Sequence, residues 1–215
     1  MIKYFIRTTL ERELDESINR ELGDDYTLLV DYEHQPVKSF IEQLETISDY
    51  DSVLLEDDAI LCKNFKKHIE KAISEYPDKV INFFTEPYIW FTTTKASIFS
   101  SNVGTYYPKG FGKLIAKIMW ENKDRYRQYD TIENIALHKL KIDIINYRPV
   151  LVQHNDNKSL LGNDNKPQFD FPRSSPFFID YLEELDISYE DAWTKENKKK
   201  LIALMNSKFN KNDIK

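Results

Sequence analysis

The first 84 residues of this 215-residue chain alternate between short apolar segments and helix-length amphipathic ones. That alternation limits the possible folds more than any other feature. Lys3–Arg7, Tyr26–Asp31, Ser52–Leu55 and Lys79–Phe84 read as strands. Thr8-Thr9-Leu10-Glu11 offers a capping box for a helix from Leu10 to Leu22, which Gly23 stops. Pro36 suits the first turn of a helix ending at Ile47, with Phe40, Ile41, Leu44 and Ile47 on one face. Asn64 is placed to cap a helix from Phe65 to Tyr76. Strands separated by helices of this size imply a mainly parallel, Rossmann-type α/β sheet with helices on both faces. Ser52–Leu55 is apolar without alternation, as a central strand buried on both faces should be.

The later pattern is looser. Strands are expected over Gly104–Pro108, Ile142–Tyr147 and Val150–Gln153. Helices are expected over Lys109–Asn122, from Asp130 onward, and over Phe177–Glu184 and Thr194–Phe209. Asn155–Pro176 is polar and proline-bearing, so it reads as a loop. The expected organisation is a catalytic domain over residues 1–162, with residues 163–215 forming a loop and helical extension packed on it.

Composition removes several classes. The net charge of −6 disfavours a basic nucleic-acid binder, and the lysines at 63, 66, 67 and 198–200 read as solvated helix faces. The single cysteine, Cys62, excludes an intrachain disulfide and is read as a small buried hydrophobe. No apolar run reaches the roughly 18 residues of a membrane span. The apolar N-terminal run is too short for a signal peptide, so the expectation is a soluble cytoplasmic protein.

In sheets of this type ligands bind beyond the carboxyl ends of the strands. That rule selects Arg7-Thr8-Thr9, Asp31 and Glu56-Asp57-Asp58. Three consecutive carboxylates repel one another, and each is costly to leave half buried. A hard divalent cation, Mn²⁺ or Mg²⁺, resolves that conflict and can bridge phosphate oxygens of a nucleotide. An acidic turn with a purely structural role is the alternative.

Three segments then occur in order. Leu54-Leu55-Glu56-Asp57-Asp58-Ala59 follows the third strand. Gly104-Thr105-Tyr106-Tyr107-Pro108-Lys109-Gly110-Phe111-Gly112-Lys113-Leu114 couples a strand to a helix. Tyr147-Arg148-Pro149-Val150-Leu151-Val152-Gln153-His154 precedes Lys158-Ser159-Leu160. Together they resemble nucleotide-sugar glycosyltransferases of the GT-A type, in particular small bacterial or phage-like members of the lipopolysaccharide kind.

The resemblance implies a metal site of Asp58, Glu56 and His154, with Glu56 and Asp57 also near the nucleotide. It implies that Arg7, Thr8, Thr9, Arg12 and Asp31 hold the base, ribose and phosphates. It makes Asp130 the base that deprotonates an acceptor hydroxyl, with Glu133 as its understudy. Against that role, Asp130-x-x-Glu133 is also a good capping box. Trp90, Phe91, Tyr106 and Tyr107 could line an acceptor platform or belong to the core. The implied donor is a nucleoside-diphosphate sugar, foremost a UDP-sugar, and the acceptor a hydroxyl on a glycan or other molecule, with a DNA base disfavoured. A sugar nucleotidyltransferase and a non-catalytic nucleotide-binding module are the alternatives. The first lacks support because no glycine-rich loop follows the first strand.

Overall fold

Strand β1 (Ile2–Thr8) is the hinge of the architecture, because both its neighbours in the sheet run parallel to it. The computed structural model describes residues 1–84, 95–96, 102–155 and 175–209. Helix α1 (Glu16–Leu22) leads to β2 (Thr27–Val30), and α2 (Pro36–Ile47) leads to β3 (Asp51–Glu56). A tight turn, β4 (Ala59–Leu61), α3 (Phe65–Glu75) and β5 (Val80–Asn82) follow. Next come β6 (Lys95–Ala96), β7 (Gly104–Tyr107), α4 (Phe111–Trp120), α5 (Tyr129–Leu140), β8 (Ile144–Asn146) and β9 (Val152–His154). The chain closes with α6 (Ile179–Glu184), a 3-10 turn (Asp191–Trp193) and α7 (Lys195–Phe209).

The main sheet has seven strands in the order β2-β1-β3-β7-β5-β8-β6, and β4 pairs with β9 in a separate ladder. β1, β2, β3, β5 and β8 share one direction, while β7 and β6 run against them. The expected mainly parallel α/β sheet is therefore present, with β7 reversed between β3 and β5. Hydrophobicity reports burial and not strand direction, so the reversal left no mark in the sequence.

Successive strand residues feed two cores. Tyr4, Ile6, Val53, Leu55, Ile81 and Tyr106 face a layer built from α1, α3 and the C-terminal elements, including Phe177, Leu182 and Leu201. Phe5, Leu54, Val80, Tyr107 and Ile144 face α2, α4 and α5. Both faces are covered, which is why β3 shows no polar alternation. Full burial of a side chain such as Leu55 contributes about 2 kcal/mol. Cys62 is wholly buried in the first of these cores. Among the described residues no helix is long and apolar enough to cross a membrane.

Local expectations fare unevenly. α2 spans the expected Pro36–Ile47, with proline at its start. α1 begins at Glu16 and not at Leu10, because Asp15 accepts the backbone N–H of Ser17 at 2.9 Å and caps it there. Asn64 precedes α3 in the left-handed region, with φ 55°, and its side chain caps nothing. The Asp130–Glu133 capping box does not form, because Gln128 occupies the N-cap position and Asp130 lies inside the first turn. Trp90, Phe91 and Lys158-Ser159-Leu160 lie outside the described residues.

Candidate metal centre at the carboxyl edge of the sheet

β1, β2 and β3 end at one edge, and register places Arg7 opposite Glu56 and Thr8 opposite Val30. After Glu56 the chain turns through Asp57 and Asp58 and re-enters as β4. The β4–β9 ladder pairs Ala59 with His154 and so carries the imidazole to the acidic turn. His154 Nε2 lies 3.6 Å from Asp58 Oδ2. Glu56, Asp58 and His154 each offer one ligand atom, and these atoms lie within 4.8 Å of one another.

Whether a cation fits is decided by the donors. Asp58 is 5% exposed, and its Oδ1 is buried with no hydrogen-bond partner. An anionic oxygen in that position is expensive unless a cation takes it. Ligand distances near 2.1 Å span about 4.2 Å across an ion, so the group closes with a shift of a few tenths of an ångström. Two carboxylates with one imidazole suit Mn²⁺, and the oxygen donors also suit Mg²⁺.

Glu56 is held from its other side. Its Oε1 accepts the Tyr129 hydroxyl at 2.6 Å and Arg7 Nη1 at 3.3 Å. Burial pushes the Glu56 carboxyl above its ordinary range, Arg7 opposes, and Asp58 adds to the push. Arg7 lies 4.8 Å from the Phe40 ring centre and 4.3 Å from that of Tyr129. Burial works against the Arg7 charge, but Tyr129 and Glu56 together hold it up. Two aromatic faces and one carboxylate thus fix the guanidinium in place.

The segment between β1 and α1 lies over the acidic turn. Asp15 N donates to the Asp57 carbonyl at 3.1 Å. Arg12 Nη1 donates to Asp57 Oδ1 at 2.9 Å and to Asp58 Oδ2 at 2.8 Å. Asn155 N donates to the Asp58 carbonyl at 2.9 Å, and its side-chain amide reaches Asp15 Oδ2 at 3.1 Å. Thr8 and Thr9 stand at the same edge, where Thr8 Oγ1 donates to the Thr9 carbonyl at 3.0 Å. Asp31 follows β2, and its Oδ1 accepts the N–H groups of Glu33 and Gln35, both at 3.2 Å. Asp31 therefore shapes the turn into α2 while remaining at the site's edge.

α5 supplies the expected bases, and the two separate sharply. Asp130 is half-buried in the first turn, where its charge acts on Arg7, Tyr129 and Glu133. Glu133 is wholly buried. It accepts the Tyr107 hydroxyl at 2.6 Å and Asn102 Nδ2 at 2.7 Å, while Thr105 Oγ1 bonds Asn102 Oδ1 at 2.6 Å. Burial raises the Glu133 carboxyl to about 8. A sealed group cannot meet an acceptor hydroxyl, so the expectation of Glu133 as understudy base is corrected to a structural role. Tyr106 and Tyr107 are buried at 2% and 1% exposure, so neither lines an acceptor platform.

Sequence reasoning missed Tyr129, Phe40 and Asn102 as members of this region. Tyr129 adjoins Asp130, and only that adjacency hinted at it. Known protein families and curated proteins give no match to this chain.

Proposed function

We propose that the protein is a metal-dependent glycosyltransferase of the GT-A type, moving a sugar from a nucleoside-diphosphate sugar, foremost a UDP-sugar, to an acceptor hydroxyl. The observation that carries this reading is the convergence of Glu56 and Asp58 with His154. The resemblance had named those residues from two distant segments, and the β4–β9 ladder brings them together. When bound, Mn²⁺ or Mg²⁺ supplies Lewis-acid stabilisation to the diphosphate leaving group. Glu56, Asp58 and His154 would hold it. Arg7 and Tyr129 orient Glu56. Thr8, Thr9, Asp31 and Arg12, at or beside the same strand ends, are the residues offered to the nucleotide. Asp130, at the same edge, is the group offered to take the acceptor's proton.

Calorimetric titration of UDP, GDP and CDP, with Mn²⁺ and then with EDTA, tests the reading. Tight, Mn²⁺-dependent binding of one nucleotide is expected. Asp58→Asn should weaken that binding about a hundredfold, as loss of a carboxylate ligand does, with the circular-dichroism spectrum unchanged. Undiminished affinity in that variant would remove the metal assignment.

A second expectation concerns Asp130. Asp130→Asn should keep nucleotide affinity and lower sugar transfer about 10²–10⁴-fold. Transfer at the parent rate would leave Asp130 with only its place in the first turn of α5.

The Arg12 contacts favour one other reading, a non-catalytic module whose acidic turn is neutralised internally. Metal-dependent nucleotide binding without turnover across an acceptor screen would support it.

A further inference from the structure

We infer that Arg12 is a displaceable internal counter-ion: it bridges Asp57 and Asp58 while the cation site is empty, and an entering divalent cation releases it toward the nucleotide's diphosphate. The inference rests on reading this edge as a cation and nucleotide site, and it assigns to Arg12 a role beyond lining that site.

Three observations carry it. The first is shared occupancy. Arg12 Nη1 lies 2.8 Å from Asp58 Oδ2, the oxygen that also stands 3.6 Å from His154 Nε2. Asp58 is therefore claimed at once by the guanidinium and by the candidate ligand set. A divalent ion on that carboxylate and a guanidinium within about 4 Å of it repel strongly in a poorly solvated pocket. Asp58 Oδ1 has no hydrogen-bond partner, so an ion can enter there, and its charge then weakens the Arg12 contact on Oδ2.

The second is charge balance. Three consecutive carboxylates face Arg7 on Glu56 and Arg12 on Asp57 and Asp58, which leaves one negative charge over. Replacing Arg12 by a divalent cation neutralises the group completely. The displaced guanidinium is then positive, adjacent and suited to bidentate phosphate recognition.

The third is freedom to move. Arg12 sits between β1 and α1, in a stretch with no helix or strand. Its backbone N–H makes a turn bond of 3.3 Å to the Thr9 carbonyl, and the stretch is tied to the acidic turn through Asp15 N. The guanidinium stands at the end of a chain of rotatable bonds, so a shift of it leaves the tether at Asp15 in place. The late start of α1 is what permits this.

The test measures Mn²⁺ binding without nucleotide, by electron paramagnetic resonance of free Mn²⁺, in parent, Arg12→Gln, Arg12→Lys and Asp58→Asn proteins. Arg12→Gln should bind Mn²⁺ about tenfold more tightly than the parent, because a competing cation is gone. Arg12→Gln should also melt below the parent in EDTA, with the deficit removed by saturating Mn²⁺. UDP affinity at saturating Mn²⁺ should fall at least about tenfold in Arg12→Gln. Arg12→Lys is the second variant should glutamine disturb folding; its ammonium keeps the charge but bridges two carboxylates less firmly, so it should show a smaller Mn²⁺ gain with a smaller melting deficit. Equal or weaker Mn²⁺ binding in both Arg12 variants, with the parent site intact and lost in Asp58→Asn, overturns the Arg12 role alone. Absence of Mn²⁺ binding in the parent overturns the site reading and the Arg12 role together.

Discussion

Gly112→Ala is expected to destabilise the fold by about 2–3 kcal/mol, a large effect for one methyl group. Gly112 lies in the first turn of α4, where α4 crosses α2. A Cβ there would overlap the backbone carbonyl oxygen of Leu44 and stand 3.1 Å from both the Leu44 carbonyl carbon and Ser48 Cβ. Backbone cannot rotate aside as a side chain can, so the two helices must separate. That separation would open the core of Leu44, Ile47, Ile115 and Met119. The better helix propensity of alanine returns only about 1 kcal/mol.

Urea unfolding of Gly112→Ala beside Gly23→Ala and Gly110→Ala checks this. Gly23 and Gly110 have φ of +60° and +89° with nothing near a Cβ, so each change should cost about 1 kcal/mol of backbone strain only. A Gly112 variant no worse than these would mean that α2 and α4 do not approach so closely.

The second large effect concerns Glu133. Its carboxyl is raised to about 8 in the fold, whereas an unfolded chain titrates near its ordinary 4.5. Below the unfolded value both states are protonated, and the group imposes no penalty. Between the two values the folded state keeps a proton that the unfolded state releases, so stability falls as pH rises. The loss is on the order of 5 kcal/mol and levels off above the folded value.

Glu133→Gln removes the titration while leaving an oxygen for Asn102 and an amide for the Tyr107 oxygen. The variant should therefore gain on the parent steadily between pH 5 and pH 8 in urea denaturation. Half-buried carboxyls such as Glu56 and Asp180 add their own slopes, which both proteins share. A constant difference between the two proteins across that range would show that Glu133 is ionised in the fold.

Much of the architecture was readable where local chemistry and burial agree. Pro36 and the apolar face of Phe40, Ile41, Leu44 and Ile47 set both ends of α2 because each signal lies within the helix itself. The start of α1 was not readable. It depends on Asp15 capping Ser17 and bonding Asp57, a partner on the far side of β2 and α2 in the chain. β4 is three residues long and gives no periodicity to detect. Glu133 was misplaced for a related reason. Spacing shows that it follows Asp130 by three positions, but not that Tyr107 and Asn102 wait behind it. Within the site, Glu56, Asp58 and His154 were named by the resemblance, and the fold brings them together. Arg12's grip on two carboxylates was not readable, since the helix expected from Leu10 carries no sign of the acidic turn that Arg12 meets.

The ladder between β4 and β9 has a consequence for how the chain is tied together. Asp58 and His154 lie about a hundred residues apart along the backbone, and in an unfolded chain their meeting is opposed by loop-closure entropy. A single ion ligated by both would act as a removable cross-link, rewarding only the molecule whose late segment has already docked on its early one. Occupancy would add to global stability by mass action and rise with free ion concentration. Chelation would then loosen the whole topology as well as empty a pocket, and a chain cut before β9 would hold neither the ion nor that reinforcement.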